Sequence, residues 1–381
     1  MRSKVEVAQV LHGLGYRITT LGLNTWQLRT LSAISICRTH ALGGHVDACE
    51  ECGVVRISYN SCRNRHCPKC QGSNREKWIE ARVDELLPVP YFHVVFTIPS
   101  VLNEYCLQYP ERMYGILFKS AWETLQIFAH NKGLKTGMIA VLHTWGQNLS
   151  FHPHLHCIVP GGGTNKQGKW RNLRADGKFL FSVKALSKVF RAKFVSHLRK
   201  ENIISPIVLN NLFANRWVVF AKRPFAHPAH VIEYLGRYSH KVAISNNRLK
   251  DYSARKVTFS YKDYCNSSKV KEMTLDDTEF IRRFALHILP KGFMKIRHYG
   301  ILSSTCKKIS IPRIREQVGP VAIVHNDERK LKVFNPRLCP CCGKESMVTI
   351  EVISPRGPPK SNVLCVGNYS FFTEMSCTTN N

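Results

Sequence analysis

Two pairs of cysteines in the first quarter of the chain have the spacing of zinc ligands. The pairs are Cys49–Cys52 and Cys67–Cys70, and 14 residues separate them. Each Cys-x2-Cys loop turns both of its sulfurs toward one ion, and zinc lowers the thiol pKa so that the ligands bind as thiolates. Two such loops at this distance are typical of a four-thiolate zinc ribbon. The sequence therefore predicts one structural zinc ion bound by both pairs.

Other potential metal ligands surround these pairs. Five residues are available for a second zinc ion, or for a different choice of ligands at the first: Cys37, His40, His45, Cys62 and His66. A further Cys-x2-Cys pair, Cys339–Cys342, lies far along the chain without a recognisable partner pair. The sequence leaves open whether the protein binds one zinc ion or two.

A histidine-rich segment has the pattern of a strand that carries a different metal site. Successive side chains of a strand alternate between its faces, so His154 and His156 share one face while Leu155 and Cys157 face the other. Two imidazoles on one face can chelate a divalent ion. The segment runs directly into a buried Ile-Val pair, which favours a sheet position over a loop.

Two imidazoles alone make a weak site, and the preceding strand can supply a third ligand. That strand ends in His143–Gln147 and is expected to form a hairpin with the histidine strand. Gln147 is the first choice for the third ligand, and His143 is the alternative. An ion with so few protein ligands keeps positions open for phosphate oxygens, which it polarises as a Lewis acid.

Two tyrosines lie on a predicted helix further along the chain. Tyr234 and Tyr238 are four residues apart in segment 228–241, which begins with a proline, and they therefore share one helix face. Taken alone, this spacing is common in protein cores. Arg237 and Lys241 make the segment polar and basic, which is unusual for buried aromatic residues.

These candidate residues are positioned by alternating strands and helices. The predicted strands are 91–98, 138–145, 154–159 and 217–221, and the predicted helices are 102–134 and 183–201. Helices alternating with a small antiparallel sheet indicate an α+β fold, ferredoxin-like, with the helices on one face. The cysteine-rich segment has too few large aliphatic residues for a core of its own, so we expect a zinc-ribbon-like domain that folds around metal.

The length of 381 residues suggests two or three domains, at about 150 residues each. We predict a helical and zinc-binding domain at 1–85, a core domain at 86–250 that carries the histidines and tyrosines, and a basic C-terminal extension at 251–381 that ends in a loose tail.

The composition indicates a polyanionic partner. There are 55 Lys and Arg against 26 Asp and Glu, a net charge of +29, and such a surface repels itself until phosphates neutralise it. With 44% hydrophobic residues, the chain is not a disordered polyelectrolyte. The sequence contains neither an export signal nor an apolar run of about 18 residues. We therefore expect a cytoplasmic, nucleoid-associated protein that binds nucleic acid and no membrane.

Four segments together resemble the two-tyrosine transposases of the rolling-circle insertion-sequence type, a branch of the HUH endonuclease superfamily named for its His-hydrophobe-His motif. The segments are Ser61–Gln71, His152–His156, Tyr234–Ser245 and Leu289–Gly300, and the match spans most of residues 30–345. The resemblance implies that the core domain is an HUH nuclease, that His154 and His156 hold Mg²⁺ or Mn²⁺, and that Tyr234 and Tyr238 are nucleophiles.

The resemblance also implies the reaction and the substrate. A tyrosine attacks a DNA phosphate and forms a 5′-phosphotyrosine and a free 3′-hydroxyl; the ester keeps the bond energy, so rejoining needs no ATP. The substrate is single-stranded DNA at the element ends and at the target, which such proteins hold with basic and aromatic side chains. Eight residues are candidates for these contacts: Arg63, Arg65, Arg237, Lys241, Lys291, Lys295, Arg297 and His298.

Three other functions fit parts of the sequence. A non-catalytic zinc-containing nucleic-acid-binding protein, such as a decayed transposase, would keep the charge and lose the chemistry. A replication initiator nuclease would use the same chemistry at a different DNA site. A zinc hydrolase would need a carboxylate base near His154 and His156, and the sequence has none nearby.

Overall fold

The computed structural model describes residues 5–71, 85–173, 180–221, 231, 241–263, 266–319 and 335–355. The helices within these ranges are α1 (Val7–Leu14), α2 (Thr25–Ser35), α3 (Asn103–Gln108), α4 (Pro110–His130), α5 (Val183–Glu201), α6 (Pro206–Asn211), α7 (Asp277–Ala285) and α8 (Lys307–Val318). The strands are β1 (Gly44–Cys49), β2 (Val55–Tyr59), β3 (Tyr91–Thr97), β4 (Gly137–Trp145), β5 (Phe151–Pro160), β6 (Gly162–Thr164), β7 (Trp170–Asn172), β8 (Val219–Ala221), β9 (Leu249–Ser253), β10 (Lys256–Asp263), β11 (Lys269–Asp276), β12 (Ile296–Gly300) and β13 (Met347–Ile353).

The chain divides into two units, and each is discontinuous in sequence. The first unit comprises Met1–Leu31 and Arg65–His325, and the second comprises Ser32–Asn64 and Asn326–Asn381. The sequence had predicted three consecutive domains instead. The division differs because β13 pairs with β1 in an antiparallel ladder, which places the end of the described chain in the same unit as the first cysteine pair. The predicted loose tail lies outside the described residues.

The first unit contains a five-stranded antiparallel sheet with the strand order β12-β4-β5-β3-β8. From β3 the chain passes through α3 and α4 to β4, turns directly into β5, and then passes through α5 and α6 to β8. The sequence predicted a hairpin between the strand that carries His143 and the strand that carries His154 and His156, and the structure shows it as the β4–β5 pair. An α+β protein with an antiparallel sheet is thus confirmed. A three-stranded sheet, β11-β10-β9, and the β6–β7 ribbon also belong to this unit.

Two helices cover one face of the main sheet. Helix α5 has the bounds that its apolar spacing predicts, and it ends where Asn202 adopts a left-handed conformation. The predicted helix 102–134 is divided into α3 and α4 at Pro110, because a proline lacks the backbone N–H that would continue the first helix. Buried aromatic and aliphatic side chains of α4 and α5 form one core cluster with Phe96 and Leu155 of the sheet.

The opposite face of the sheet is also covered, which the sequence did not predict. Ile311 and Ile314 of α8 belong to a second buried cluster with Ile139, Val141 and Ile158 of the sheet. Helix α8 was not recognised because it is rich in charged residues and contains an internal proline, so its apolar stripe is narrow. The sheet is therefore packed on both faces, and the expectation of helices on one face alone was wrong.

A buried ion pair joins α7 to the N-terminal segment of the first unit. The Asp277 carboxylate is 1% exposed and accepts two hydrogen bonds from the Arg17 guanidinium, at 3.0 and 2.8 Å. The Tyr252 hydroxyl donates a third, at 3.2 Å. This network satisfies the carboxylate inside the protein, as a buried charge requires.

Replacing Arg17 with alanine is expected to lower the free energy of unfolding by clearly more than the loss of a surface ion pair does, because the buried Asp277 carboxylate would lose its main hydrogen-bond donor. Urea-induced unfolding of the variant and the wild type measures the difference. Arg282→Ala is the matched control, since its ion pair with Glu279 lies at the surface, where such pairs contribute roughly 0.5 kcal/mol. Equal losses in the two variants would contradict the role given to the buried pair.

The second unit has a three-stranded sheet with the order β13-β1-β2. Among its described residues, one small buried cluster consists of Cys49, Cys339 and Met347, with Val54 packed against them. A buried cluster of this size contributes little burial energy, so the unit needs another source of stability.

Among the described helices, none has the length and apolar character that crossing a membrane requires.

Candidate active site and metal centres

Four histidines lie on one face of the main sheet, the face that α8 covers. His143 on β4 is directly opposite His154 on β5, and His156 follows two residues later on the same face. His93 lies on the neighbouring strand β3, next to His156. Leu155 points to the other face, into the cluster under α4 and α5, as strand alternation requires.

Three of these imidazoles converge on one point. Ring nitrogens of His143, His154 and His156 lie within 4.8 Å of one another, and the Nε2 atoms of His154 and His156 are 3.1 Å apart. Two bonds of ~2.1 Å at about a right angle to one ion would place these nitrogens ~3.0 Å apart, close to the observed separation. The ring geometry therefore fits a shared metal ion.

Hydrogen bonds on the far side of each ring set its orientation. The Nδ1–H of His154 donates to the backbone carbonyl of His152 at 2.6 Å, which leaves the Nε2 lone pair available. Nδ1 of His156 is 2.9 Å from Nε2 of His93, a buried contact that holds the His156 ring. Partners of this kind fix the tautomer and the direction of a metal-binding imidazole.

The local electrostatics keep these imidazoles neutral. Burial lowers the pKa of His154 to about 4, and the neighbouring His152 and Lys241 side chains contribute to this shift. Burial and the neighbouring imidazoles also hold the pKa of His156 well below its usual value. At neutral pH the rings therefore offer lone pairs to a cation. In the described part of the chain, this group of metal-binding side chains contains histidines and no carboxylate.

The third imidazole of the group belongs to His143, which the sequence had ranked second. Gln147, the first choice, lies in the turn after β4, where its backbone carbonyl accepts a hydrogen bond from the Arg248 guanidinium. The preference for Gln147 over His143 was made without the register of the β4–β5 hairpin, which the sequence does not give. His143 and His154 are cross-strand neighbours on one face, and such pairs have the shortest side-chain separations in a sheet.

Tyr234, Tyr238 and Arg237 lie outside the described residues, but residues near both tyrosines are described. Val231, three residues before Tyr234, is fully buried in the cluster that α8 forms with the histidine face of the sheet. Lys241, three residues after Tyr238, is close enough to His154 and His156 to lower the pKa of both. Both flanks of the tyrosine segment therefore lie on the histidine side of the sheet.

Three of the predicted DNA contacts line one groove. Lys291, Arg297 and His298 surround a groove of about 890 Å³, together with Lys307. The Arg297 guanidinium lies 4.3 Å from the centre of the Phe118 ring, a cation–π contact that holds it in place. Apart from Glu111, the charged residues that line the groove are therefore positive, and the contact with Phe118 fixes the position of Arg297.

The other predicted DNA contacts are placed differently. The Arg65 guanidinium is partly buried and donates to the backbone carbonyls of Pro290, at 2.8 Å, and Phe293, so it ties down a loop of the first unit. Burial and the charge of Arg65 lower the pKa of Lys295 to about 8. Lys241 and Lys295 line the same small cavity. Arg63 belongs to the second unit, where it is exposed.

The cysteine pairs are grouped differently from the sequence prediction. Sulfurs of Cys49 and Cys52 lie within 4.8 Å of those of Cys339 and Cys342. The first pair is therefore completed by the C-terminal pair that had no recognisable partner, and not by Cys67–Cys70. The physical reason is the β1–β13 pairing, which a local spacing rule cannot detect.

The remaining predicted zinc ligands have varied surroundings. In the second unit, the Cys62 N–H donates to the Cys37 sulfur at 3.4 Å, His40 is exposed, and His45 lies 3.4 Å from the Asp47 carboxylate. In the first unit, Cys67 and Cys70 form a turn closed by the Cys70 N–H and the Cys67 carbonyl, 3.2 Å apart. Also in the first unit, burial and the charge of Arg65 lower the pKa of His66 to about 3.

Two protein-family models match the chain. A model described as "Putative transposase" matches residues 137–309, which include His143, His154 and His156. A model described as "Transposase zinc-binding domain" matches residues 11–98. The match to the zinc-binding domain covers Cys49 and Cys52 and ends well before Cys339.

Two relatives match over most of their length. The chain is 42% identical to "Putative transposase y4qJ" of Sinorhizobium fredii (strain NBRC 101917 / NGR234), over 94% of this chain and 98% of the relative. It is 27% identical to "Transposase for insertion sequence element IS801" of Pseudomonas savastanoi pv. phaseolicola, over 87% of this chain and 85% of that protein. No solved structure matches. The chain therefore belongs to the insertion-sequence transposases, as its motifs indicated, and carries the zinc-binding domain of that family.

Proposed function

We propose that this transposase cuts and rejoins single-stranded DNA through a 5′-phosphotyrosine, in transposition of the rolling-circle type. One observation carries the proposal. Three imidazoles converge on the face of the sheet where residues on both sides of the tyrosine segment also lie. A cation-binding site and a pair of phenols are the groups that a phosphoryl transfer to tyrosine needs.

The topology supports an HUH core of the ferredoxin-like type. The path β3-α4-β4-β5-α5-β8, with the spatial order β8-β3-β5-β4, is that of a split βαβ unit with its first and third strands at the centre. The central strands carry His93, His154 and His156, so the most rigid part of the sheet positions the site.

We assign His143, His154 and His156 as ligands of a divalent ion. Nitrogen donors without a carboxylate suit Mn²⁺ better than Mg²⁺, which prefers oxygen ligands and keeps its waters. When bound, the ion acts as a Lewis acid on the scissile phosphate. His93 is a positioning residue, because it contacts the His156 ring on the side away from the other imidazoles.

The tyrosines supply the nucleophile. The phenol oxygen of Tyr234 or Tyr238 loses its proton and bonds to phosphorus, the bond from phosphorus to the 3′ oxygen breaks, and that oxygen takes up a proton. A phenol has a pKa of about 10, so nearby positive charge favours the reactive phenolate. Lys241 supplies such charge on the histidine side of the sheet. The second tyrosine allows a second strand transfer before the first link is resolved.

The groove lined by Lys291, Arg297, His298 and Lys307 is the proposed path of the DNA strand. Lys291 and Arg297 can neutralise phosphates of the strand, which makes binding dependent on salt, whereas Lys307 is paired with Glu85. Exposed Met294 and partly buried Tyr299 border the same groove and offer apolar surface to bases. This combination is typical of sites that hold single strands without reading their sequence.

The zinc-binding domain retains thiols for a second ion. Four of its cysteines remain once the Cys49–Cys52 pair is assigned to Cys339 and Cys342: Cys37, Cys62, Cys67 and Cys70. All four lie within the residues that the family model matches, and two of them form a Cys-x2-Cys pair. The sequence therefore offers ligands for a second structural zinc ion, and we propose that the zinc-binding domain binds one.

A covalent-adduct assay tests the proposed function. The protein is incubated with single-stranded oligonucleotides from the ends of its own element and Mn²⁺, and the products are separated on a denaturing gel. We expect a protein-DNA adduct, and mass spectrometry of its peptides should place the nucleotide on Tyr234 or Tyr238.

Each alternative gives a different result in this assay. A protein that binds the oligonucleotides and forms no adduct is a nucleic-acid-binding protein, and the proposed function fails. An adduct on any other residue would overturn the assignment of the nucleophiles. Cleavage at a plasmid replication origin and not at element ends would identify a replication initiator.

A further inference from the structure

We infer that Cys49, Cys52, Cys339 and Cys342 bind one structural zinc ion that joins the zinc-binding domain to a segment near the other end of the chain. The ligands come from two Cys-x2-Cys loops, and Cys49 and Cys342 are 293 residues apart in sequence. Residues 11–98, which match the family's zinc-binding domain, therefore supply half of this site. The inference is independent of the DNA chemistry proposed above.

The four sulfurs have the separations of a tetrahedral site. The Sγ atoms of Cys49 and Cys342 are 3.7 Å apart, and those of Cys52 and Cys339 are 3.6 Å apart. Zinc–sulfur bonds of ~2.3 Å in a regular tetrahedron place neighbouring sulfurs ~3.8 Å apart. The side chains are thus already arranged around a space of the right size for a zinc ion.

The two cysteine loops have matching backbone hydrogen bonds. In the first loop, the Cys49 N–H donates to the Val54 carbonyl at 3.0 Å, and the Gly53 N–H donates to the Cys49 carbonyl at 3.0 Å. In the second loop, the corresponding bonds join Cys339 to Lys344 at 2.8 Å and Gly343 to Cys339 at 3.0 Å. Two loops of one conformation, with their four sulfurs close together, suit a four-thiolate site.

A glycine follows each pair for a steric reason. Gly53 and Gly343 have φ angles of 70° and 72°, in the left-handed region that residues with a Cβ rarely adopt. This conformation lets the chain turn away from the ion immediately after the second cysteine of each loop. The Cys-x2-Cys-Gly pattern is therefore a stronger signal than the cysteine spacing alone.

Polar groups surround the sulfurs as they do in metal sites. The Cys52 N–H donates to the Cys49 sulfur, and the Cys341 N–H donates to the Cys339 sulfur, both at 3.4 Å. The Ser346 hydroxyl lies 3.0 Å from the Cys49 sulfur. Hydrogen bonds of this kind stabilise thiolates and orient them toward the ion.

Other contacts hold the two segments in register. Thr349 donates to the Asp47 carboxylate at 2.8 Å, and Lys344 pairs with Glu51 at 2.7 Å. The Lys344–Glu51 pair lies at the surface and contributes little on its own, and the buried cluster that contains Cys49 and Cys339 is small among the described residues. The folding energy that a structural zinc ion supplies therefore accounts for how this unit becomes stable.

Protection of thiols in the wild-type protein tests the inference without a substitution. Cys341 and Cys342 are adjacent in sequence, and both are exposed. A small alkylating reagent therefore reaches either sulfur unless that sulfur is bound to zinc. In the zinc-loaded protein we expect Cys342 and Cys52 to react at least 10-fold more slowly than Cys341, and to react as fast as Cys341 after zinc removal by a chelator. Mass spectrometry of peptides measures each rate, and equal rates in the zinc-loaded protein would overturn the inference.

Zinc content gives a second, separate readout. The Cys339→Ser, Cys342→Ser double variant of the full chain should contain one zinc equivalent less than the wild type. Cys341→Ser, which changes the cysteine between the two ligands, should keep the full content. An unchanged zinc content in the double variant, or an equal loss in the control, would refute the assignment of the ligands.

Discussion

Replacing His154 with alanine is expected to reduce DNA cleavage by about 1000-fold or more, because it removes one of the imidazoles that hold the proposed ion beside the phosphate. A thousandfold loss corresponds to about 4 kcal/mol of transition-state stabilisation, which is in the range of a lost Lewis acid. His154 is only partly buried, so the substitution leaves little new cavity. Single-turnover cleavage of an element-end oligonucleotide with Mn²⁺ measures the effect.

A neighbouring histidine provides a matched control. His152 lies on the same strand and is exposed, and its backbone carbonyl accepts the hydrogen bond from His154, which alanine keeps. The substitution removes the His152 ring, whose centre lies 5.2 Å from that of His154. His152→Ala should therefore cleave within a few-fold of the wild type. Both variants should bind the oligonucleotide and unfold at the wild-type temperature. If His154→Ala cleaved DNA normally, or if His152→Ala lost as much, the proposed metal centre would be wrong.

Local patterns in the sequence predicted the features that depend on residues close together in the chain. The alternation of His154, Leu155 and His156 identifies the face that carries the imidazoles, and the apolar spacing of residues 183–201 gives the bounds of α5. Both depend on the repeat of a single strand or helix. The same local argument does not give the register of β4 on β5, which decides that His143 completes the group.

Features that join distant segments were predicted poorly, because a local sequence pattern does not show which distant segment it pairs with. The spacing of Cys49–Cys52 identifies a zinc loop, but a loop of this kind carries no information about which second loop completes it. The spacing predicts Cys67–Cys70, the nearest pair in sequence, while the pair that lies beside Cys49–Cys52 in space is Cys339–Cys342. Similarly, the charge of Arg65 did not indicate that its guanidinium binds two backbone carbonyls of a distant loop.

The choice between His143 and Gln147 as the third ligand leads to a second expected result. We predict that His143→Ala lowers cleavage about 100-fold at low Mn²⁺ concentration and that excess Mn²⁺ restores part of the activity. Loss of one ligand weakens ion binding without removing the chemistry, since His154 and His156 remain, and outer partners of such sites alone change metal affinity by about 10–100-fold. Cleavage rates measured across a Mn²⁺ titration separate weaker binding from slower chemistry.

Gln147→Ala is the matched comparison, because the contact of Gln147 with Arg248 is made by the backbone carbonyl and survives the substitution. This variant should need no more Mn²⁺ than the wild type. The opposite pattern, a raised Mn²⁺ requirement in Gln147→Ala and none in His143→Ala, would restore the glutamine as the third ligand. It would also imply that the turn after β4 closes toward the imidazoles when DNA is bound, since the amide would then have to reach the ion that His154 and His156 share.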